Sequence, residues 1–387
     1  MKISGVMFAL LRFEVLGTEL CERAKKAITP EVLPALYKLS KKHDLAHLIG
    51  NALEKNGLLP EDSEAKKRFL AERNKAVYRL EQQNYEREKV CQVLEGAGID
   101  FLPLKGNVIR AYYPQPWQRT SCDIDILVPA DRLEEGAKRL HESLSYEIGE
   151  KTVNDLSLFA PNGVHIELHY DLTECGRFAP AILGDIWQFA SVKEGSKHHY
   201  LLSNEAVYFY HIAHMVKHFE DGGCGVRPFL DLYLLAKHMP MSALKRGEML
   251  DSYRFTKFAS ACEKLARVWF EKEEYDQTSK RLEAFILLGG AYGTVDNRVA
   301  LQQAKKGGKF RYLLSRIFIS NKELKLKYSA LEKRPYLAPF YHIKRWLKPL
   351  TDKGSGKQSF DELSKTSSVD KNKKEENELL LTELGLK

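Results

Sequence analysis

The chain has 387 residues, of which 44% are hydrophobic and 29% charged, and its formal net charge is +8. This is the composition of a soluble globular protein, and the length predicts two or three domains because one hydrophobic core usually serves fewer residues. No apolar run is long enough to span a bilayer, which excludes a helical membrane protein and predicts no membrane partner.

Cysteine spacing and charge placement narrow the class further. The six cysteines lack the paired spacings of metal sites and disulfide frameworks, which favours reduced thiols in a cytoplasmic protein. The basic excess is local: Leu301–Leu350 has 13 Lys and Arg against two acidic residues. That segment could face nucleotide phosphates, a nucleic acid or an anionic surface, or could consist of ordinary solvated helix faces.

The first hundred residues have a helical pattern. Ile3–Leu11 is apolar but ends at Arg12, and no small-residue cleavage pattern follows, so a buried helix is predicted in preference to a signal peptide. The clearest helix is Ser63–Leu94, which Gly96 and Gly98 terminate.

A strand pattern then replaces the helical one. The order β-α-β-α-β-β predicts an α/β or α+β domain of about a hundred residues, and we favour α+β with a mixed sheet. The predicted strands are Ile99–Leu104, Cys122–Val128, Leu156–Ala160 and Val164–Tyr170, with a helix at Ala130–Leu144.

Helical periodicity returns after Tyr200, and four parts are therefore predicted. Residues 1–97 are an N-terminal helical region, 98–200 the α+β domain, 201–350 a C-terminal helical domain, and 351–387 a charged, disordered tail that leaves room for a short terminal helix. The predicted C-terminal helices are Asn204–Glu220, Pro228–His238, Phe255–Lys272 and Ser279–Leu288.

Acidic residues on two predicted strands suggest a metal site. Asp123 and Asp125 are two residues apart on a strand, so their side chains share one face. Glu167 stands on another alternating strand, between His165 and His169. Magnesium prefers carboxylate and phosphate oxygens, and nucleotidyl transfer needs two divalent ions that hold the attacking and leaving oxygens. The three acids are therefore candidate metal ligands.

A glycine turn upstream could bind phosphate. Gly106 follows Lys105 at a strand–helix junction, where glycine lets the backbone approach a ligand and the helix N-terminus presents N–H groups. An Asp-x-Asp pair alone is weak, because solvent-facing acids on a half-exposed strand look the same. The ordered set of turn, acidic strand and second acidic strand is more specific.

These segments resemble the bacterial "uncharacterised nucleotidyltransferase" family of the DNA polymerase β-like superfamily, which also includes aminoglycoside nucleotidyltransferases. The similarity covers most of residues 85–350 and is strongest over 101–169. The similar segments are Phe101-Leu-Pro-Leu-Lys-Gly, Tyr112-Tyr-Pro, Arg119, Asp123-Ile-Asp-Ile-Leu-Val, His165-Ile-Glu-Leu-His, His214 with Lys217 and His218, Arg227 with Asp231, and Pro335–Arg345.

The resemblance implies a small nucleotidyltransferase domain flanked by helical regions. It implies that Asp123 and Asp125 bind metal and that Glu167 supplies the third carboxylate, as a ligand or as a general base. It also places Lys105 and Gly106 in the superfamily's phosphate-binding turn.

Four further features are candidates for supporting roles. Asn107 stands where the superfamily commonly has Ser, although it suits this family and we include it in the phosphate-binding set. Arg119 is a candidate phosphate clamp because guanidinium grips phosphate bidentately, and an ordinary loop charge is the alternative. His211, His214 and His218 share a helix face that could bind zinc, line the site or only pack. Asp231 and Arg227 are expected to form an ion pair with each other.

The favoured hypothesis is an EC 2.7.7-type nucleotidyltransferase. It would use two Mg²⁺ ions to transfer a nucleoside monophosphate from an NTP, with ATP favoured, to a hydroxyl or phosphate of a small-molecule or peptide acceptor. A nucleic-acid acceptor gripped by Leu301–Leu350 is less favoured, because no RNA-binding pattern is visible. A catalytically inactive nucleotide-binding scaffold is the third alternative. The acceptor, the base and the oligomeric state stay open.

Overall fold

A mixed five-stranded sheet interrupts a mostly helical chain, which confirms the predicted α+β fold. The computed structural model describes residues 1–172, 181–291, 293–306, 309–317, 319, 324–325, 328, 330–351 and 371–387. Within these residues, no helix is long and apolar enough to cross a membrane.

The N-terminal residues are helical, as predicted. The predicted apolar helix is real and its residues Val6 to Leu11 are buried, because its apolar run faces the main core. The long helix begins where expected, since the Ser63 hydroxyl caps it by accepting from Lys66 N–H at 3.1 Å. The helices are α1 (Ile3–Leu16), α2 (Glu22–Lys26), α3 (Leu33–Lys42), α4 (Ala46–Lys55) and α5 (Glu64–Gly96).

The sheet has the strand order β1-β2-β5-β4-β3, in which β2 and β5 are parallel and the other neighbours antiparallel. Buried isoleucines and leucines of β2 and β5 pack with α5 and α7 in a small core of their own. The elements are β1 (Leu102–Pro103), α6 (Gly106–Ile109), β2 (Asp123–Leu127), α7 (Leu133–Leu144), β3 (Glu147–Lys151), β4 (Asp155–Phe159) and β5 (His165–His169).

Two details differ from the sequence prediction. β1 is shorter than the predicted strand at Ile99–Leu104, because Phe101 bridges to His199 instead of to β2. β3 was not predicted, since all five of its residues are exposed and a polar edge strand has no apolar alternation to reveal it. A small hairpin of β6 (Ala190–Val192) and β7 (Tyr200–Leu202) was also not predicted.

The C-terminal half is helical, and the four predicted helices appear with ends shifted by one or two residues. The helices are α8 (Ala181–Gly184), α9 (Asn204–Glu220), α10 (Arg227–His238), α11 (Ala243–Ser252), α12 (Thr256–Glu271), α13 (Gln277–Gly289), α14 (Val295–Lys306), α15 (Lys309–Ile317), α16 (Ala330–Lys333), α17 (Ala338–Thr351) and α18 (Lys371–Glu383).

The helices on both sides of the sheet share one core, which joins the N-terminal helices to the C-terminal helices. Phe8 of α1 stacks on Trp269 of α12 with ring centroids 4.6 Å apart. Arg12 also donates to the Trp269 carbonyl at 2.5 Å. This joint helical body holds one edge of the sheet in place.

Near the C-terminus lies helix α18, in the part of the predicted tail where the sequence left room for a short terminal helix. Helix α18 packs against α13 and α14, and four leucines within it or just after it are buried in the main core. The charged residues mask this apolar stripe in the composition. Residues 352–370 of the predicted tail lie outside the described residues. The buried leucines are Leu380, Leu381, Leu384 and Leu386.

Candidate active site

The structure brings the three predicted acids together on the two parallel strands. Asp125 of β2 is in register with Glu167 of β5, and Asp123 is in register with His165. Ligand atoms of Asp123, His165 and Glu167 lie within 4.8 Å of one another, and so do those of Asp125, Glu167 and His169. Glu167 belongs to both groups. Alternation along each strand causes this, because residues two apart point to the same face.

Asp125 is the most tightly held of the three acids. It is 3% exposed, and its Oδ1 accepts from Lys105 Nζ at 2.8 Å and from His169 Nε2 at 2.9 Å. Burial alone would raise the pKa of Asp125, but the positive charge of Lys105 and the hydrogen bond from His169 hold it well below its usual value. Asp125 is therefore ionised and fixed in orientation.

His169 acts as a cation between two carboxylates. Its Nε2 also lies 3.3 Å from Glu167 Oε2. Burial opposes protonation, but the hydrogen bonds to Asp125 and Glu167 raise the pKa of His169 to about 9. Because it contacts both acids, His169 is placed to hold Asp125 and Glu167 in a fixed relative orientation.

Asp123 has the opposite electrostatic environment. Burial and the neighbouring charges of Asp125 and Glu167 raise its pKa to about 6, and Lys105 only partly offsets them. The three carboxylates thus exceed the positive charge that Lys105 and His169 supply. A divalent cation would correct that imbalance, and the oxygen-rich donor set is one that magnesium accepts.

The turn before α6 places Lys105 in a strained conformation. Its φ is +48° and its ψ −118°, a region that residues with a side chain rarely occupy. A Cβ on Gly106 would come within 3.3 Å of Ser121 Cβ and 3.2 Å of Arg119 Nη1, so a side chain here would crowd both residues. In this conformation the Lys105 ammonium contacts Asp125.

The predicted phosphate-binding set is only partly assembled around this turn. Asn107 Nδ2 lies 3.5 Å from the Asp125 carbonyl, at the edge of hydrogen-bond range. Helix α6 has four residues, so its dipole adds little. Phosphate binding by Lys105, Gly106 and Asn107 stays a prediction, with the Lys105 ammonium as its charged group.

Arg119 lies in a buried ion pair. Its Nη2 is 2.9 Å from Asp231 Oδ2, its Nη1 donates to the Thr120 carbonyl at 2.7 Å, and Tyr113 donates to Asp231 Oδ1 at 2.7 Å. The expected ion pair between Asp231 and Arg227 is therefore wrong, because Asp231 pairs with Arg119 instead. The role of Arg119 as a phosphate clamp stays a prediction.

Arg227 instead bonds to the N-terminal half of the chain. Its Nη1 contacts Asp44 Oδ2 and donates to Thr120 Oγ1 at 3.1 Å. The loop that precedes β2 is thus held from both helical regions at once.

Helix α5 positions β2 through a contact that the sequence does not reveal. The Gln83 amide donates to the carbonyls of Ser121 at 3.1 Å and Asp123 at 3.4 Å. Arg110 donates to the Gly106 carbonyl at 3.0 Å and to Ser121 Oγ at 3.1 Å. A lone Gln in a charged helix and an Arg four residues after Gly106 carry no distinctive pattern.

A cavity adjoins the acids at the Lys105 turn. It comprises about 830 Å³ of empty space, including the part open to solvent, between the end of β1 and helices α9 and α10. The cavity is lined by His211, His214 and His218, so these histidines face the space beside the acids. His211 Nε2 contacts the Pro228 carbonyl at 2.9 Å, and the Nε2 atoms of His214 and His218 are 2.8 Å apart. Within the described part of the chain, the three do not form a metal-binding group.

Comparisons with known proteins identify the family of the chain. The model of the family described as "Uncharacterised nucleotidyltransferase" matches residues 30–271, and the chain belongs to this family. The resemblance seen in the sequence is thereby confirmed. A search of curated proteins finds no match.

Two solved structures are similar over nearly half of the chain. The antibiotic-resistance factor ANT(2'')-Ia is 14% identical with a TM-score of 0.32, and the match covers 45% of this chain and 91% of that one. An antigenic nucleotidyltransferase-like protein from Paracoccidioides brasiliensis is 18% identical with a TM-score of 0.28, covering 44% and 88%.

Proposed function

We propose that this protein is a Mg²⁺-dependent nucleotidyltransferase that transfers a nucleoside monophosphate from an NTP, with ATP as our choice, to a small-molecule or peptide acceptor. One observation carries the proposal: three carboxylates meet on paired parallel strands with too little positive charge beside them. Family membership supports nucleotidyl transfer in general.

Asp123, Asp125 and Glu167 would hold the magnesium, and two ions fit because Glu167 belongs to both ligand groups. When bound, the metal supplies charge neutralisation at the phosphates. Lys105 keeps Asp125 ionised and oriented, and His169 fixes Asp125 relative to Glu167. Such fixed orientation is the main contribution a protein makes to phosphoryl-type transfer.

The reaction balances without an additional cofactor. An acceptor oxygen forms a bond with the α-phosphorus of the NTP, and the bond from that phosphorus to the bridging oxygen breaks, releasing pyrophosphate. A hydroxyl acceptor also loses a proton, and the half-exposed Glu167 is positioned to accept it. A phosphate acceptor needs no such base.

Free thiols support a cytoplasmic location, which we also propose. The five described cysteines form no disulfide among themselves.

Transfer can be tested with α-labelled ATP, GTP, CTP and UTP plus magnesium, in cell extract separated into small-molecule, protein and nucleic-acid fractions. Wild type is compared with the double variant Asp123→Asn/Asp125→Asn. We expect label from ATP in the small-molecule or protein fraction, with the wild type alone. Label in the nucleic-acid fraction would overturn the acceptor class, and no label in any fraction would overturn the activity.

A further inference from the structure

Three cationic side chains line the cavity beside the acids, and each has a carboxylate partner. Lys105, Arg119 and Arg227 contribute three positive charges, whereas Asp231 is the single carboxylate among the lining residues. Arg119 already neutralises Asp231 at 2.9 Å. Lys105 is paired with Asp125 and Arg227 with Asp44, so all three cations are balanced by carboxylates and what the cavity can offer a ligand is hydrogen-bond donors.

Two buried groups at the cavity lack hydrogen-bond partners. His43 is 0% exposed, and neither of its ring nitrogens has a partner within the described residues. The Leu287 carbonyl lies near the ring, but the geometry is not that of a hydrogen bond. Arg227 Nε is likewise buried without a partner in the described chain. Unsatisfied buried polar groups are rare in native proteins and point to a ligand or water.

The chemistry of these two groups selects an oxygen anion. Arg227 Nε–H is a donor only, and a neutral His43 offers one N–H. Burial, with Lys42 acting in the same direction, lowers the pKa of His43 to about 4, so the ring is neutral at physiological pH. Two N–H donors with Lys105 nearby suit a phosphate or carboxylate oxygen.

The rest of the wall is apolar. Leu104, Val108, Ile109 and Val207 line the same space. Apolar walls with a few polar groups are typical of a small-molecule site. Lys105 borders both this cavity and the acids, since its ammonium contacts Asp125 at 2.8 Å. A molecule in the cavity would thus adjoin the reacting centre.

We infer that this cavity binds the acceptor, and that the acceptor is a small molecule with a phosphate or carboxylate group recognised by His43 and Arg227. The inference rests on the proposed function, because only a nucleotidyl transfer gives the bound molecule the role of acceptor. The triphosphate of the nucleotide offers the same chemistry, so the test must separate the two sources.

The test is a calorimetric titration of the full chain with ribose 5-phosphate and with ribose as the uncharged match. Each titration is repeated with magnesium and saturating α,β-methylene-ATP, which occupies the nucleotide site without reacting. His43→Leu is the informative variant. It removes an unsatisfied buried imidazole and breaks no hydrogen bond, so the protein should fold. His238→Leu, at an exposed position outside the cavity, is the matched control.

Ribose 5-phosphate should bind at least tenfold more tightly than ribose, with or without the ATP analogue. His43→Leu should weaken its binding at least tenfold, and His238→Leu should leave it unchanged. Absence of binding, equal binding of ribose, no effect of His43→Leu or displacement by the analogue would each overturn the inference. Asp123→Asn/Asp125→Asn should still bind ribose 5-phosphate, so loss of transfer and loss of this site are distinguishable.

Discussion

The protein has two neighbouring clusters of charged side chains, and they differ in the balance between positive and negative groups. The arginine cluster pairs each positive group with a carboxylate. The acid cluster sets three carboxylates against one lysine and one histidine. The arginine cluster is Arg119 with Asp231 and Arg227 with Asp44, and the acid cluster is Asp123, Asp125 and Glu167 with Lys105 and His169.

Two aspartates show what the difference means. Burial raises the pKa of any carboxyl group, but the charge of Arg119 outweighs it and lowers the pKa of Asp231 below its usual value. Asp123 has no such partner, and the surrounding acids raise its pKa to about 6. A cluster whose positive and negative charges balance needs no further ion, whereas a cluster with excess negative charge favours the binding of a cation. This contrast underlies the structural role that we propose for the arginine cluster and the metal-binding role that we propose for the acid cluster.

The largest expected effect is on activity at the acid cluster. Asp125→Asn should reduce transfer of labelled nucleotide at least 10³-fold, about 4 kcal/mol of transition-state stabilisation, because the metal loses a charged ligand. The rate of label transfer under single-turnover conditions measures this. Asp131→Asn, at an exposed position outside the cluster, is the control and should retain wild-type activity. Full activity of Asp125→Asn would remove the basis of the assignment.

The arginine cluster should respond in stability instead. Asp231→Asn leaves Arg119 buried without its counter-ion and should cost about 3 kcal/mol in the free energy of unfolding, measured by urea denaturation. Glu142→Gln, which breaks the exposed pair with Lys138, should cost less than about 1 kcal/mol. If Asp231→Asn unfolded no more easily than Glu142→Gln, the cluster would not be structural.

A smaller effect of opposite sign is expected at Asp123. Asp123→Asn removes a charge that two neighbouring carboxylates repel, so the metal-free protein should gain about 1 kcal/mol in the free energy of unfolding. The same urea measurement, in the presence of a chelator, compares it directly with Asp231→Asn. Destabilisation by Asp123→Asn would show that the acid cluster is balanced after all.

The sequence predicts the acid cluster better than its surroundings. Alternation places Asp123 and Asp125 on one face of β2, and a period-two pattern requires no knowledge of distant contacts. The parallel pairing that brings Glu167 beside Asp125 follows from the resemblance, since local pattern does not fix strand order.

The remaining site residues depend on contacts between distant segments. Arg119 and Asp231 are 112 positions apart, and the sequence instead suggested the nearer Arg227 as partner. His43 reaches the cavity only because the N-terminal and C-terminal helices share one core. The sequence left room for helix α18 but did not reveal that four leucines in it or just after it are buried, because many charged residues surround them.

The most direct test of the charge imbalance is thermal unfolding of the wild type and Asp123→Asn/Asp125→Asn with increasing magnesium. A cation that binds only the folded state stabilises it by about 2.7 kcal/mol at a hundred times its dissociation constant. The wild type should therefore show a Tm that rises with magnesium and saturates, and the double variant should show none of that rise. A wild-type Tm insensitive to magnesium, or an equal rise in the double variant, would contradict the assignment of the acid cluster as a metal site.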